Sequence, residues 1–324
     1  MNKKVITPVL LLVLVFILGV WKFTSASEYR ELSKAPRLSQ LNDAISKAQA
    51  YYEGLYWDAG SEGAVVLEFY SHPKSVYTVR HATIGGYYYY TYIGDFEKAE
   101  KLKRFSTTYG FDPEYDLHSL IWRSNVSSDD FLYSNKAYPD CNANLPEFGN
   151  VLPYRSKVCK LGDLGFKAYL TLSKYDTFLP MLETLQGMSN GKQLDQEKIN
   201  SFEQDYRNLG FGMPTCNPAG CSSIASAFRT AHFGEIELRL GRYQYADAVA
   251  SDLISAQEPS GAIYLSYNEN REFETDKPVT YLVLDALLND EPIYDGFIPT
   301  NAETMSSVLA FLLHYRCDRF MICQ

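Results

Sequence analysis

Four ionisable residues, Arg229, His232, Glu235 and Arg239, follow one another at steps of three, three and four through an otherwise apolar run. On a helix that spacing stacks them in one line. Their chemistry has two readings. In one, Arg229 and Arg239 neutralise Glu235 and nearby acids as structural pairs in a wall. In the other, Glu235 is enclosed beside His232 and has the shifted pKa that acid or base work needs. Glu235, His232 and the distant Glu68 are then the catalytic candidates. Glu68 shares one loop and the following helix start with Arg80 and His81. The free N–H groups and positive potential of a helix start suit a carboxylate or uronate ligand, although the same stretch also reads as a plain capped start to a helix. Asp112, Glu114, Asp116 and His118 form the densest acidic group, and most such groups are solvated faces.

Tyrosine is abundant, with 26 in the chain, and Tyr264 and Tyr267 alternate with aliphatic residues. Aromatic faces stack on sugars and on other C–H-rich ligands, so Arg80, His81, Tyr264 and Tyr267 are the substrate-binding candidates. Tyr87 to Tyr90 occupy all sides of a helix and read as packing. No nucleotide loop, G-x-S-x-G elbow or H-E-x-x-H helix is present, so neither cofactor nor catalytic metal is expected. Formal net charge is -9 with no basic stripe, which argues against a nucleic-acid partner.

The elements that hold these residues follow from periodicity. Ser222 to Leu240 predicts a helix that is apolar on most sides, hence buried. Leu240-Gly241-Arg242 joins it to an amphipathic helix with Ala246, Val249, Ala250, Leu253 and Ile254 on one face, ended by Pro259 and Gly261. The same pairing recurs in "TIGGYYYYTYIGDFEKAEKLKRF", in "LGFKAYLTLSKYDTFLPMLETLQGM", and in "KPVTYLVLDALLND" followed by "NAETMSSVLAFLLHYR"; "RLSQLNDAISKAQAYYEGLY" adds an outer helix. The expectation is an all-α fold of five to six helical hairpins. Their irregular spacing argues against a tetratricopeptide-type solenoid, and alternating inner and outer helices argue for a closed ring. Gly63-Ala64-Val65 and Gly261-Ala262-Ile263 read as short β crossings between hairpins.

The outer helix ending in "SAQEPSGAIY" resembles the outer-helix ends of the (α/α) toroids, the superfamily of six-hairpin glycosidases, polysaccharide lyases, epimerases and terpenoid cyclases. The likeness is one of helix types across most of the chain. It carries no catalytic signature, and the Asp-rich cyclase motifs are absent. The resemblance implies that the crossings bridge one mouth of the ring and bring Glu68, Arg80, His81, Tyr264 and Tyr267 together there. It implies a glycan-active protein of the hydrolase, lyase or epimerase class. The alternative is a non-catalytic envelope protein that binds a glycan or a protein.

The N-terminus sets the compartment. Lys3 and Lys4 precede an uncharged run from Val5 to Trp21, then Lys22 and small residues. The run falls short of the roughly 20 residues of a comfortable spanning helix and exceeds the roughly 7 to 15 of a signal-peptide core. Residues 1–27 therefore read as a signal peptide or signal anchor, and 28–324 as an extracytoplasmic domain, periplasmic or at the cell surface. All six cysteines follow the leader, and an even count in an exported chain argues for disulfides. Loop closure favours near neighbours: Cys141 with Cys159, Cys216 with Cys221, Cys317 with Cys323. "CNPAGC" also fits half of a metal site. Asn125-Val126-Ser127 matches the glycosylation acceptor pattern.

Overall fold

The computed structural model describes residues 32–58, 60–67, 79–108, 117–123, 178–217, 220–274 and 300–323. These are mostly helical, with small antiparallel sheets. Helix α1 (Leu38–Glu53) buries Leu41, Ala44, Ile45, Ala48 and Tyr52, spacing that keeps one face against the core. After it, β1 (Tyr56–Asp58) and β2 (Ala64–Val66) form an antiparallel pair with Trp57 opposite Val65. The hairpin α2 (Val79–Tyr92) and α3 (Phe96–Thr108) follows, and a 3-10 turn spans Leu117–Ile121.

Helices α4 (Phe178–Ser189) and α5 (Gln196–Leu209) lead into strands β3 (Met213–Asn217) and β4 (Gly220–Ser226). Asp195 caps α5 by accepting from the N–H groups of Glu197 and Lys198, and Gly210 ends it at φ 81°, the usual left-handed stop. Then come α6 (Ala227–Arg239), α7 (Tyr243–Ser255), the short β5 (Ser266–Tyr267) and α8 (Ala302–Phe320).

Of the 13 residues of α6, ten are buried, including Ala231 and Leu238. Phe228 is half-buried. This matches the expected burial of the helix. Its start does not, because residues 220 to 226 are strand rather than helix. Cys216 lies opposite Cys221 and Met213 opposite Ser226 in a hairpin with β3, and the Ser226 side chain accepts from the N–H of Arg229. A serine oxygen so placed starts the helix at Ala227.

The second departure is α8. The sequence placed it second in its hairpin, as an outer helix, yet 12 of its 19 residues are buried, from Ala302 to Tyr315. It packs against α6, α1 and α2. Arg316 donates to Asn42 of α1 at 3.4 Å. Helix α7 packs on α6, α3 on α2, and α4 also on α6. Helix α5 docks on α7 through side chains: Arg207 Nε donates to the Tyr245 hydroxyl at 2.6 Å, and Tyr206 donates to Asp252 at 2.5 Å.

Both Gly-Ala crossings exist as close backbone approaches. Gly63 sits at φ 107°, where a Cβ would lie 2.3 Å from the carbonyl oxygen of Lys101 in α3. Gly261 sits at φ 95°, where a Cβ would lie 2.1 Å from the carbonyl oxygen of Lys47 in α1. Only glycine fits either place. The first crossing is a strand; the second is a single bridge, Gln257 opposite Ile263. Thus the segment after α7 passes against α1, and the segment after α1 passes against α3.

Candidate functional site

Glu235 is the centre of the polar group on the buried helices. It lies in the third turn of α6 with its side chain 3% exposed. Arg239, one turn on, donates from Nε to Oε1 at 2.7 Å. His314 of α8 reaches the same carboxylate, with Nδ1 3.1 Å from each oxygen. Burial alone would raise this carboxyl. The positive potential of His314 and Arg239, with their hydrogen bonds, outweighs burial and holds it at about 2, against an ordinary 4.5. Glu235 is therefore ionised, paired with Arg239 and hydrogen-bonded by His314.

Arg239 is fixed from its other end. Its Nη2 donates to the carbonyl oxygens of Leu120 at 3.3 Å and Ile121 at 3.0 Å, and Nη1 reaches the Ser189 hydroxyl at 3.4 Å. The 3-10 turn thus lies over the guanidinium. Trp122, just after that turn, donates from Nε1 to Ser306 of α8 at 3.0 Å.

His314 packs edge-on against two aromatic rings, 5.2 Å from Tyr92 and 5.9 Å from Trp122, which are themselves 5.9 Å apart. Because a carboxylate only accepts, Nδ1 carries the proton it shares with Glu235. Nε2 has no hydrogen-bond partner among the described residues, and the side chain is 18% exposed. A carboxylate that fixes one ring nitrogen leaves the other free to take or give a proton. His314 also points away from α1. Arg316, two residues on and about 200° around the helix, is the residue that faces α1.

The sequence-derived candidates are distributed as follows. Glu235 has the pairing with Arg239 that the wall reading proposed, but its histidine is His314 and not His232. His232 is fully buried, its Nδ1 2.8 Å from the carbonyl oxygen of Phe228 and its ring 4.5 Å from the Phe228 ring. Arg80 and His81 lie in the first turn of α2. Tyr264 is half-buried with its ring 5.8 Å from Phe273. Tyr267 is fully buried beside Phe211 at 6.3 Å, so its ring offers no face to a ligand. Glu68, Asp112, Glu114, Asp116, Asn125, Cys141, Cys159 and the leader lie outside the described residues.

Cys216 pairs with Cys221 and Cys317 with Cys323. Although Asp205 lies close to the first pair, a disulfide offers no thiolate, so the half-metal-site reading of "CNPAGC" is set aside. Disulfides are compatible with an oxidising, extracytoplasmic location. Among the described residues no helix is long and apolar enough to cross a membrane.

A second polar group lies between α5 and α7. Asp252, 1% exposed, accepts from Tyr206 at 2.5 Å, from Ser33 at 2.9 Å and from Arg271 at 2.5 Å. Burial raises its carboxyl despite these three donors. Arg271 also lies over the Phe211 ring at 5.2 Å. The Asp252 carboxylate is fully engaged, as in a structural tie of Ser33 and the loop after β5 to α7. Sequence reasoning missed His314, whose signal was a histidine inside an apolar run lacking an outer face. Compared with known proteins, the chain matches no family model, no curated protein and no solved structure.

Proposed function

We propose that the chain is an exported, membrane-tethered protein of (α/α)-ring architecture that acts on a glycan through the His314–Glu235–Arg239 group. The packing order supports the ring. Helices α4, α6, α8 and α2 are successive neighbours and carry the buried polar group. Helices α5, α7, α1 and α3 flank them in the same order, each crossing lying against the next flanking helix. Helix α8, the last described, packs on α1, the first, which brings the two ends of the described chain together. The step from ring to glycan is an analogy of fold.

One observation carries the choice of site: an oriented histidine, reachable at 18% exposure, with the half-buried Tyr92 ring edge-on to it at 5.2 Å. The open part of the Tyr92 ring suits the C–H face of a sugar, and Nε2 suits proton transfer to or from it. Glu235 is then a positioning residue, too firmly ionised to act as the general acid of a two-carboxylate hydrolase. In this reading the proton is handled by His314, and hydrolase, lyase and epimerase chemistry all remain within reach of it.

The full engagement of Glu235 and Arg239 favours a second reading, a ring that binds a glycan without turnover. The test is a screen of acidic and neutral envelope polysaccharides for binding and for product, with wild type, His314→Gln and Glu235→Gln. Catalysis requires product from wild type and its loss, by about 100-fold or more, in His314→Gln that still folds. Binding without product supports the second reading. No binding to any glycan defeats both.

A further inference from the structure

Glu237 is used by neither site. It is fully buried in the last turn of α6, and neither carboxyl oxygen has a hydrogen-bond partner. Two residues from Glu235 and from Arg239, it points about 200° away from them, toward α7 and α5. Around it lies a closed chain of polar groups. Arg242, at the head of α7, is paired with Glu203 of α5. Tyr245 of α7 donates to the same carboxylate at 3.1 Å. Arg207 of α5 donates to Tyr245 at 2.6 Å. The Arg242 N–H donates to the backbone carbonyl of Glu237 itself at 2.9 Å, so the two residues are tied at the root.

The other elements packed on α6 offer Glu237 no partner. His314 of α8 is engaged with Glu235, Glu183 of α4 with Lys198 of α5, and strands β3 and β4 contain no Asp, Glu, His, Lys or Arg. Burial, reinforced by the charge of Glu203 and opposed by Arg242, pushes the Glu237 carboxyl up to about 8. An ionised carboxylate sealed in this place without a cation would be strongly unfavourable. Ionisation therefore has to draw in a cation, and the tethered one is Arg242.

We propose that Glu237 is a proton-controlled latch on helix α5: with its carboxyl neutral, Arg242 holds Glu203; once it ionises, Arg242 turns to Glu237, Glu203 loses its cation and α5 loosens, while Tyr206 and Arg207 still tie it to α7. The latch does not depend on the glycan reading. It makes α5 the element that gains mobility in mildly alkaline surroundings.

The test is hydrogen–deuterium exchange of the full-length protein at pH 6 and pH 9, corrected for intrinsic exchange, in wild type and Glu237→Gln. Expected is a fall in protection of residues 196–209 by about tenfold or more in wild type, with α1 and α8 unchanged. Glu237→Gln should show no such fall. Glu237→Leu, which cannot ionise either, serves if the glutamine variant does not fold. The latch is overturned if the variant keeps the wild-type pH dependence, or if protection falls equally in every helix.

Discussion

Replacing Glu235 by Gln removes one charge and keeps the side chain's shape, so its effect isolates the ion pair. The wild-type carboxyl titrates at about 2 in the folded chain against an ordinary 4.5, which corresponds to about 3 kcal/mol of stability. The sign follows from the direction. A depressed carboxyl contributes in full above about pH 4.5 and loses its contribution as pH falls through about 2. Glu235→Gln should thus cost about 3 kcal/mol at pH 7 and about 1 kcal/mol at pH 3. The glutamine amide would also place a donor against the Nδ1–H of His314, so the cost at pH 7 is not expected to fall below this. Urea unfolding of both proteins at pH 7, 5, 4 and 3 measures the difference. A loss below about 1 kcal/mol at pH 7, or a loss of the same size at every pH, would refute the pairing as the origin of the effect.

The crossings make a second prediction: Gly63→Ala and Gly261→Ala each place a Cβ 2.3 Å and 2.1 Å from a backbone carbonyl and should each cost about 3 kcal/mol or more by thermal unfolding. Gly241→Ala, with a similar positive φ but open space around it, should cost only about 1 kcal/mol. Asp252→Asn leaves the half-buried Arg271 without its counter-charge and should cost about 3 kcal/mol, measured by urea unfolding at pH 7. Peptide mapping of the non-reduced protein should recover Cys216 joined to Cys221 and Cys317 joined to Cys323, and should report directly on Cys141 with Cys159; breaking the Cys317 pair with Ser should cost about 2 kcal/mol for so short a loop.

Much of this architecture is written in local periodicity. The α6–α7 and α2–α3 hairpins are legible because an all-round apolar helix, a glycine turn and a one-faced helix follow in order, and each signal lies within about 18 residues. The β3–β4 hairpin is not legible that way. Ile224 and Ala225 fit a helical period as well as a strand, and the constraint that decides is the pairing of Cys216 with Cys221 together with the Ser226 cap. Helix α8 reads in sequence as the second helix of a hairpin whose first half, residues 277–290, lies outside the described residues, and its burial comes from α6, α2 and α1, which are distant in sequence. His314 was lost with it. Spacing within α6 put Glu235 and Arg239 on one line, and one helical turn is enough for that contact. It could not bring in a residue 79 positions away, because that approach depends on how α6 and α8 pack.

The measurement that tests the central claim most directly is an experimental structure of the full-length protein with an oligosaccharide drawn from the binding screen. The account predicts sugar density against the Tyr92 ring with a hydroxyl or ring carbon within hydrogen-transfer reach of His314 Nε2, about 3 Å, and with Glu235 still engaged to Nδ1. Sugar bound only on the flanking helices α5, α7, α1 or α3, with His314 untouched, would contradict it.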